Sequence, residues 1–331
     1  MNISRRRVLE GMAFAATTTA ALSQGTAFAQ ELDIDNATAM ANVRDVVIGG
    51  FNILFLTNRV DRARAGGGLL GGGFGGRSTA RTALAGLSDA DFQGAVDAAY
   101  DDFLQQLQAA GYIVHDRAPF LAALSRHVRP LDNGVSMEFT LSRNNEVEGR
   151  LFSPTTLGPP MVPQDVQGAG FSGGGMGAVQ SAVYVRQDSL AYARTNNIAV
   201  LFPHYVVDFA SAETYGGWFR NSSAVSVSAG LAVTPEGSLF IAYAPGNRTT
   251  LLAPEEPIAV GGDFGSFSET STDGQRAGEL AANVIGALGG VGTNRTQRHT
   301  MQANPAQWSA GVGDLARTAS ARFIQGLRDG R

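Results

Sequence analysis

Ser88-Asp89-Ala90-Asp91-Phe92 opens, and Gly111-Tyr112-Ile113-Val114 closes, the stretch on which the fold turns. Ser88 is an N-cap residue type, and Asp89 and Asp91 place negative charge in the first turn, where unpaired amides favour it. From Phe92 onward Ala95, Val96, Ala99, Tyr100, Phe103, Leu104 and Leu107 recur three and four apart, so they line one face of a helix. Gly111 stands where a left-handed residue closes a helix, and Tyr112-Ile113-Val114 resumes at once as a strand. The pattern predicts a long helix over Ser88–Ala110 laid directly on a sheet.

Upstream, Val46-Val47-Ile48 and Phe51-Asn52-Ile53-Leu54-Phe55-Leu56 read as strand buried on both faces. Gly66 to Gly76 holds eight glycines in eleven residues and reads as a flexible, exposed loop. Downstream, Pro119 to His127 reads as a short helix with Phe120, Leu121 and Leu124 inward. Val135 to Phe152 holds one or two strands, and Ser153 to Gly177 is a Pro/Gly-rich loop. Ala178 to Thr195 fits a helix or a strand. Ile198–Phe202 and Tyr205–Phe209 are apolar strands. Val225 to Val233 alternates, Thr234-Pro235-Glu236-Gly237 is turn chemistry, and Ser238 to Ala244 returns as the second arm of a hairpin. Helices are expected over Gln275–Leu288 and Val312–Leu327. The fold class is therefore α/β (α+β): a mixed sheet packed by one long amphipathic helix and by C-terminal helices. The expected boundaries are a leader at 1–29, a polar lead at 30–41 and one domain at 42–331, with Gly-rich loops at 65–77 and 153–177.

The leader is a twin-arginine export signal. Arg5 and Arg6 stand in Ser4-Arg5-Arg6-Arg7-Val8-Leu9, a weakly apolar run follows, and Ala27-Phe28-Ala29 is a small-x-small cleavage site, with Ala27 and Ala29 as the recognised residues. The expected destination is the periplasm. Cleavage removes three arginines and Glu10, taking the formal charge from −4 to −6. That charge excludes a nucleic-acid-binding surface of the usual basic kind. No later stretch is long and apolar enough to span a bilayer as a helix. Cysteine is absent, so stability in an oxidising compartment rests on the core, and thiolate chemistry is excluded. Lysine is absent as well, which removes a Walker loop from the glycines at 66–76.

The order of strand, Gly-rich loop, long capped helix, strand and short helix resembles the envelope proteins related to the curli secretion component. The matching residues are Phe51 to Asn58, Asp89 to Ala110, Tyr112 to Arg117 with its Asp116-Arg117 pair, and Phe120 to Leu124; the Leu231–Tyr243 hairpin resembles that family's later antiparallel pair. The resemblance implies a periplasmic domain and a non-enzymatic role in envelope assembly, with an envelope protein or a second copy as partner. Pore-forming members of that family are lipid-anchored through a cysteine that this chain lacks.

Chemical motifs are sparse. Gly170-Phe171-Ser172-Gly173-Gly174 matches a nucleophile elbow, and Ser172 with Asp208 (or Asp263) and His299 follows the serine–acid–histidine order of an acyl hydrolase. This is the alternative function. The stretch before the motif, Met161 to Ala169, is too polar for the buried strand an elbow needs. His115, His127, His204 and His299 lack metal-ligand spacing, and Asp33-Ile34-Asp35-Asn36 lacks the rest of a calcium loop, so no metal or cofactor is expected. His204 reads as a hydrogen-bonded turn residue and His299 as surface. Arg59, Arg62 and Arg64 read as a solvated basic loop. Tyr215, Trp218 and Phe219, three aromatics in a Gly-containing stretch, are the expected binding residues.

Overall fold

The computed structural model describes residues 32–64, 77–142, 145–168, 171–172, 175–210, 229–269 and 294–329. The leader, the Gly-rich 65–76 segment, the expected 275–288 helix and Tyr215, Trp218 and Phe219 lie outside the described residues.

The architecture is a mixed parallel and antiparallel sheet with helices on both faces, the α/β class expected. Its centre is strand β9 (Ala199–Ala210), buried from Ala199 to Phe209. β2 (Asp45–Ile48) and then β3 (Asn52–Arg64) run parallel to β9 along one edge. Gly49 and Gly50 break the line between them, because a Cβ on Gly49 would fall 2.4 Å from the Phe202 ring. Pro203 lies opposite this break. Leu201 accepts from the Gly49 amide at 2.9 Å on that edge, so the proline's missing donor two residues on faces the same interruption and leaves no acceptor stranded.

Along the other edge of β9 lie β10 (Ala229–Val233) and β11 (Leu239–Ala244), both antiparallel to it, and β13 (Ile258–Val260) adds antiparallel to β10. The hairpin expected between them does not form, which also removes that part of the curli-type likeness. The two strands follow one another in the same direction, and residues 234–238 loop out of what is otherwise one line. The loop is fastened where the Val206 amide donates to Ser238 Oγ at 2.9 Å and the Thr234 amide to the Val206 carbonyl at 3.0 Å. The hairpin partner of β11 is β12 (Arg248–Pro254).

β12 in turn pairs with β1 (Leu32–Asp35), and Ala39 and Met40 after it are fully buried. Residues 32–40 thus belong to the fold and are no lead. Their polarity misleads because Asp33 and Asp35 take the open face of an edge strand while Leu32 and Ile34 pack inward.

Helix α1 (Asp89–Ala109) matches its reading. Ser88 and Asp91 form a reciprocal capping box, the apolar stripe is buried, and Gly111 has φ +85°. It shares one face of the sheet with α5 (Pro305–Asp329), which begins earlier than expected because Asn304 Oδ1 accepts the amides of Ala306 and Gln307. Phe55 and Phe92 from β3 and α1 meet Trp308 of α5 with ring centroids 5.2 Å away in each case, and Phe103, Phe240 and Phe323 continue the layer.

The opposite face carries α2 (Ala118–Ala123), α3 (Gln164–Gly168) and α4 (Gly175–Asn196). α4 resolves the helix-or-strand ambiguity at 178–195. It starts inside the expected 153–177 loop, which also contains α3. Tyr243 O–H donates to Asp165 of α3 at 2.6 Å, locking that helix to β11. α2 stops at Ala123, four residues early, and Leu121 is 42% exposed rather than inward. The cause is tertiary: Asp188 and Ser181 of α4 accept the amides of Ser125 and Arg129, donors that a longer α2 would have spent on itself. Residues 112–114 yield only the two-residue strand β5 (Ile113–Val114), parallel to β2. β6 (Val135–Ser142) and β7 (Asn145–Phe152) form an antiparallel pair beside β3.

Candidate interaction face

β3 is longer than the apolar run that predicted it. Its pairing with β9 ends at Phe55 opposite Val207. Beyond that point β3 turns to β4 (Arg77–Ala85), while β9 turns to β10. At the fork the guanidinium of Arg59 donates to the carboxylate of Asp208, with 2% and 0% of the side chains exposed. Two charges survive such burial only when they are paired. The run holding Arg59, Arg62 and Arg64 is therefore strand, not solvated loop.

β15 (Asn294–Ala303) adds to β4 in parallel, and β14 (Gly265–Glu269) closes the edge. These strands form an arm off the central sheet, and register fixes which residues share each of its faces. One face carries Arg59, Ala80, Thr82 and Met301, all buried. The other face carries Arg81 and Arg298, register partners of each other, with Val60 opposite Arg81. Arg81 and Arg298 are exposed. No acid shares that face among the described residues of β3, β4 and β15. The same side carries carboxylates at Glu146 and Glu148 of β7 and at Glu138 of β6, the register partner of Glu148. Sequence reading found the β3 arginines but not their partners on β4 and β15. The available signal was the two-residue spacing of Arg62 and Arg64 and the four-residue spacing of Arg77 and Arg81 about one Gly-rich connection.

The residues of the alternative hydrolase are not brought together. Ser172 lies in β8 (Phe171–Ser172), a two-residue edge strand pairing antiparallel with β6. β8 does lead into α4, the strand-to-helix order the motif needs, yet it is no buried central strand. A single cross-sheet row runs His299, Thr82, Arg59, Val147, Phe139, Phe171. Ser172 adjoins one end of the row and His299 occupies the other. Five inter-strand steps separate them, roughly 24 Å along the sheet. Asp208 is held at the middle of the row by Arg59. A working triad requires hydrogen-bond contact at each link.

The other histidines have structural places. His204 is no turn residue; it sits within β9, 1% exposed, and burial pushes its imidazole down to about 3, so it is neutral. His299 is a half-buried strand residue, not a surface one. His115 Nε2 lies 2.7 Å from Asp45 Oδ1, and His127 stacks on Tyr184. Among the described residues no cluster of three or more His, Asp or Glu is placed to hold a metal ion, and no helix is long and apolar enough to cross a membrane.

Compared with protein-family models, with curated proteins and with solved structures, the chain matches none.

Proposed function

We propose that this chain is exported by the twin-arginine route and serves in the periplasm as a non-enzymatic envelope assembly or interaction protein, docking through the open face of the β3–β4–β15 arm. The observation that carries the reading is the arm itself: the exposed Arg81 and Arg298 are register partners on its strands β4 and β15, and a buried ion pair anchors its base. Support for export comes from Arg5 and Arg6 and from the Ala27–Ala29 cleavage signal. Support for a binding role over an acyl hydrolase comes from the distance between Ser172 and His299. The likeness of the α1 region to curli secretion component-like proteins belongs to this reading too, since it implies the same compartment.

The test is made in the native host. The wild-type chain is expected in the periplasmic fraction, shortened at Ala29, and Arg5→Lys/Arg6→Lys should hold it full-length in the cytoplasm. A photo-crosslinking residue at position 81 or 298 should give adducts that the same residue at position 328 does not. Unprocessed wild-type chain in the cytoplasm, or ester turnover by the purified protein that Ser172→Ala abolishes, would sink the proposal.

A further inference from the structure

We infer that residues 32–40 form a latch that gates removal of the leader: the bond after Ala29 is cut only while this segment is off the sheet, and the segment seats once the leader has gone. This rests on the export reading above and adds its regulation. Leu32 is the third residue after Ala29, so at most about 10 Å of extended chain lies between them. Leu32 is already the register partner of Pro254. With β1 seated, the bond to be cut is therefore tethered close against β12 and α5. A protease takes its substrate as open chain, and where opening and closing are fast its rate follows the population of the open form. The twin-arginine route carries folded chains, so the sheet is already built when the peptidase meets it.

The fold lets this segment leave without taking the sheet apart. β1 is the outermost strand of the sheet, and β12 next to it keeps its own partner in β11. Besides the β1–β12 ladder, Asn36 Nδ2 donates to the Thr249 carbonyl and Thr250 Oγ1 to the Asp35 carbonyl, each at 2.8 Å. Apolar contacts hold the segment to the core. Ala39 and Met40 are fully buried, and a Cβ on Gly326 of α5 would lie 2.9 Å from a Leu32 methyl and 3.4 Å from an Ile34 methyl. A bare position in α5 thus makes room for the latch. Burial of these side chains favours the seated state, which is the state that hides the cut. A hinge follows at Asn42, where φ is +63° just before β2; asparagine takes that left-handed conformation more readily than most side chains.

The test uses the purified full-length precursor and signal peptidase in detergent micelles, with cleavage after Ala29 followed by mass spectrometry. The folded wild type is expected to be cut slowly. A flexible Gly-Ser insert of about six residues between Gln30 and Glu31, which leaves every described residue unchanged, should speed cutting about tenfold or more. Ile34→Asp, which sets a charge where the latch meets α5, should speed it by a similar factor by opening the latch. In the chain carrying the insert the same substitution should change the rate by about twofold at most, because the bond is already free of the sheet. If Ile34→Asp unfolds the chain, the insert alone decides. Equal rates for the wild type and the insert, or an Ile34→Asp effect that persists at full size within the insert, would overturn the inference, and cutting after Ala29 in those chains would leave the export reading standing. No cutting after Ala29 in any chain, the insert included, would remove the export reading and the latch with it.

Discussion

Two buried residues of β9, four positions apart, show how differently charge is handled inside one strand. Asp208 is ion-paired with Arg59; His204 gives its charge up. Asp208→Asn should cost about 3–5 kcal/mol, because Arg59 is left buried without its counter-ion, whereas Arg59→Met/Asp208→Leu should lie much closer to wild type. Urea unfolding of the three proteins checks this, and equal stability of wild type and Asp208→Asn would refute the anchoring role. The sign for His204 follows from linkage. Its folded value of about 3 lies below the ordinary 6.5, so the unfolded chain binds the extra proton between those limits. Its contribution is intact above pH 6.5 and is lost progressively as pH falls toward 3. At pH 5 this amounts to about 2 kcal/mol relative to pH 7.5. The urea midpoint should fall over that interval, and His204→Gln should reduce the fall; an unchanged pH dependence in the variant would contradict the assignment.

At the scale of elements, the β10–β11 line depends on a serine. Ser238 holds the 234–238 loop against β9 by accepting the Val206 amide, a buried contact. Ser238→Ala strands that amide and should cost about 1–3 kcal/mol. Hydrogen exchange at Val206 should accelerate with it, and if stability and exchange are both unchanged the loop is not fastened there. This is also where sequence reading failed for a physical reason. Thr234-Pro235-Glu236-Gly237 has the local chemistry of a hairpin turn, but a turn does not dictate whether the chain reverses or resumes its course. Pairing with β9 decides that, and β9 lies some thirty residues upstream. α1 was legible throughout, since its cap, stripe and terminating glycine are all local. α2 was not, because the residues that end it belong to α4.

The whole molecule divides along the same line. Its class was readable from apolar runs and helical stripes, which depend on burial alone. Its arm was not, because Arg59 to Arg64 lacks the apolar alternation that marks strands, and only the register with Arg77–Ala85 and Asn294–Ala303 makes those positions neighbours. The candidate triad failed for the converse reason: order along the chain was right, but a sheet of many strands can carry three suitable residues far apart.

The meeting of Gly49 and Gly50 with Pro203 has a consequence for how this sheet can change over time. Each is a flaw in a strand taken singly, yet the two lie face to face and cancel. An amide restored at 203 would face the interruption, and a side chain restored at 49 would collide with Phe202 and Val200. Position 49 is therefore held to glycine for as long as the Phe202 ring keeps its place, which ties together two sites more than 150 residues apart.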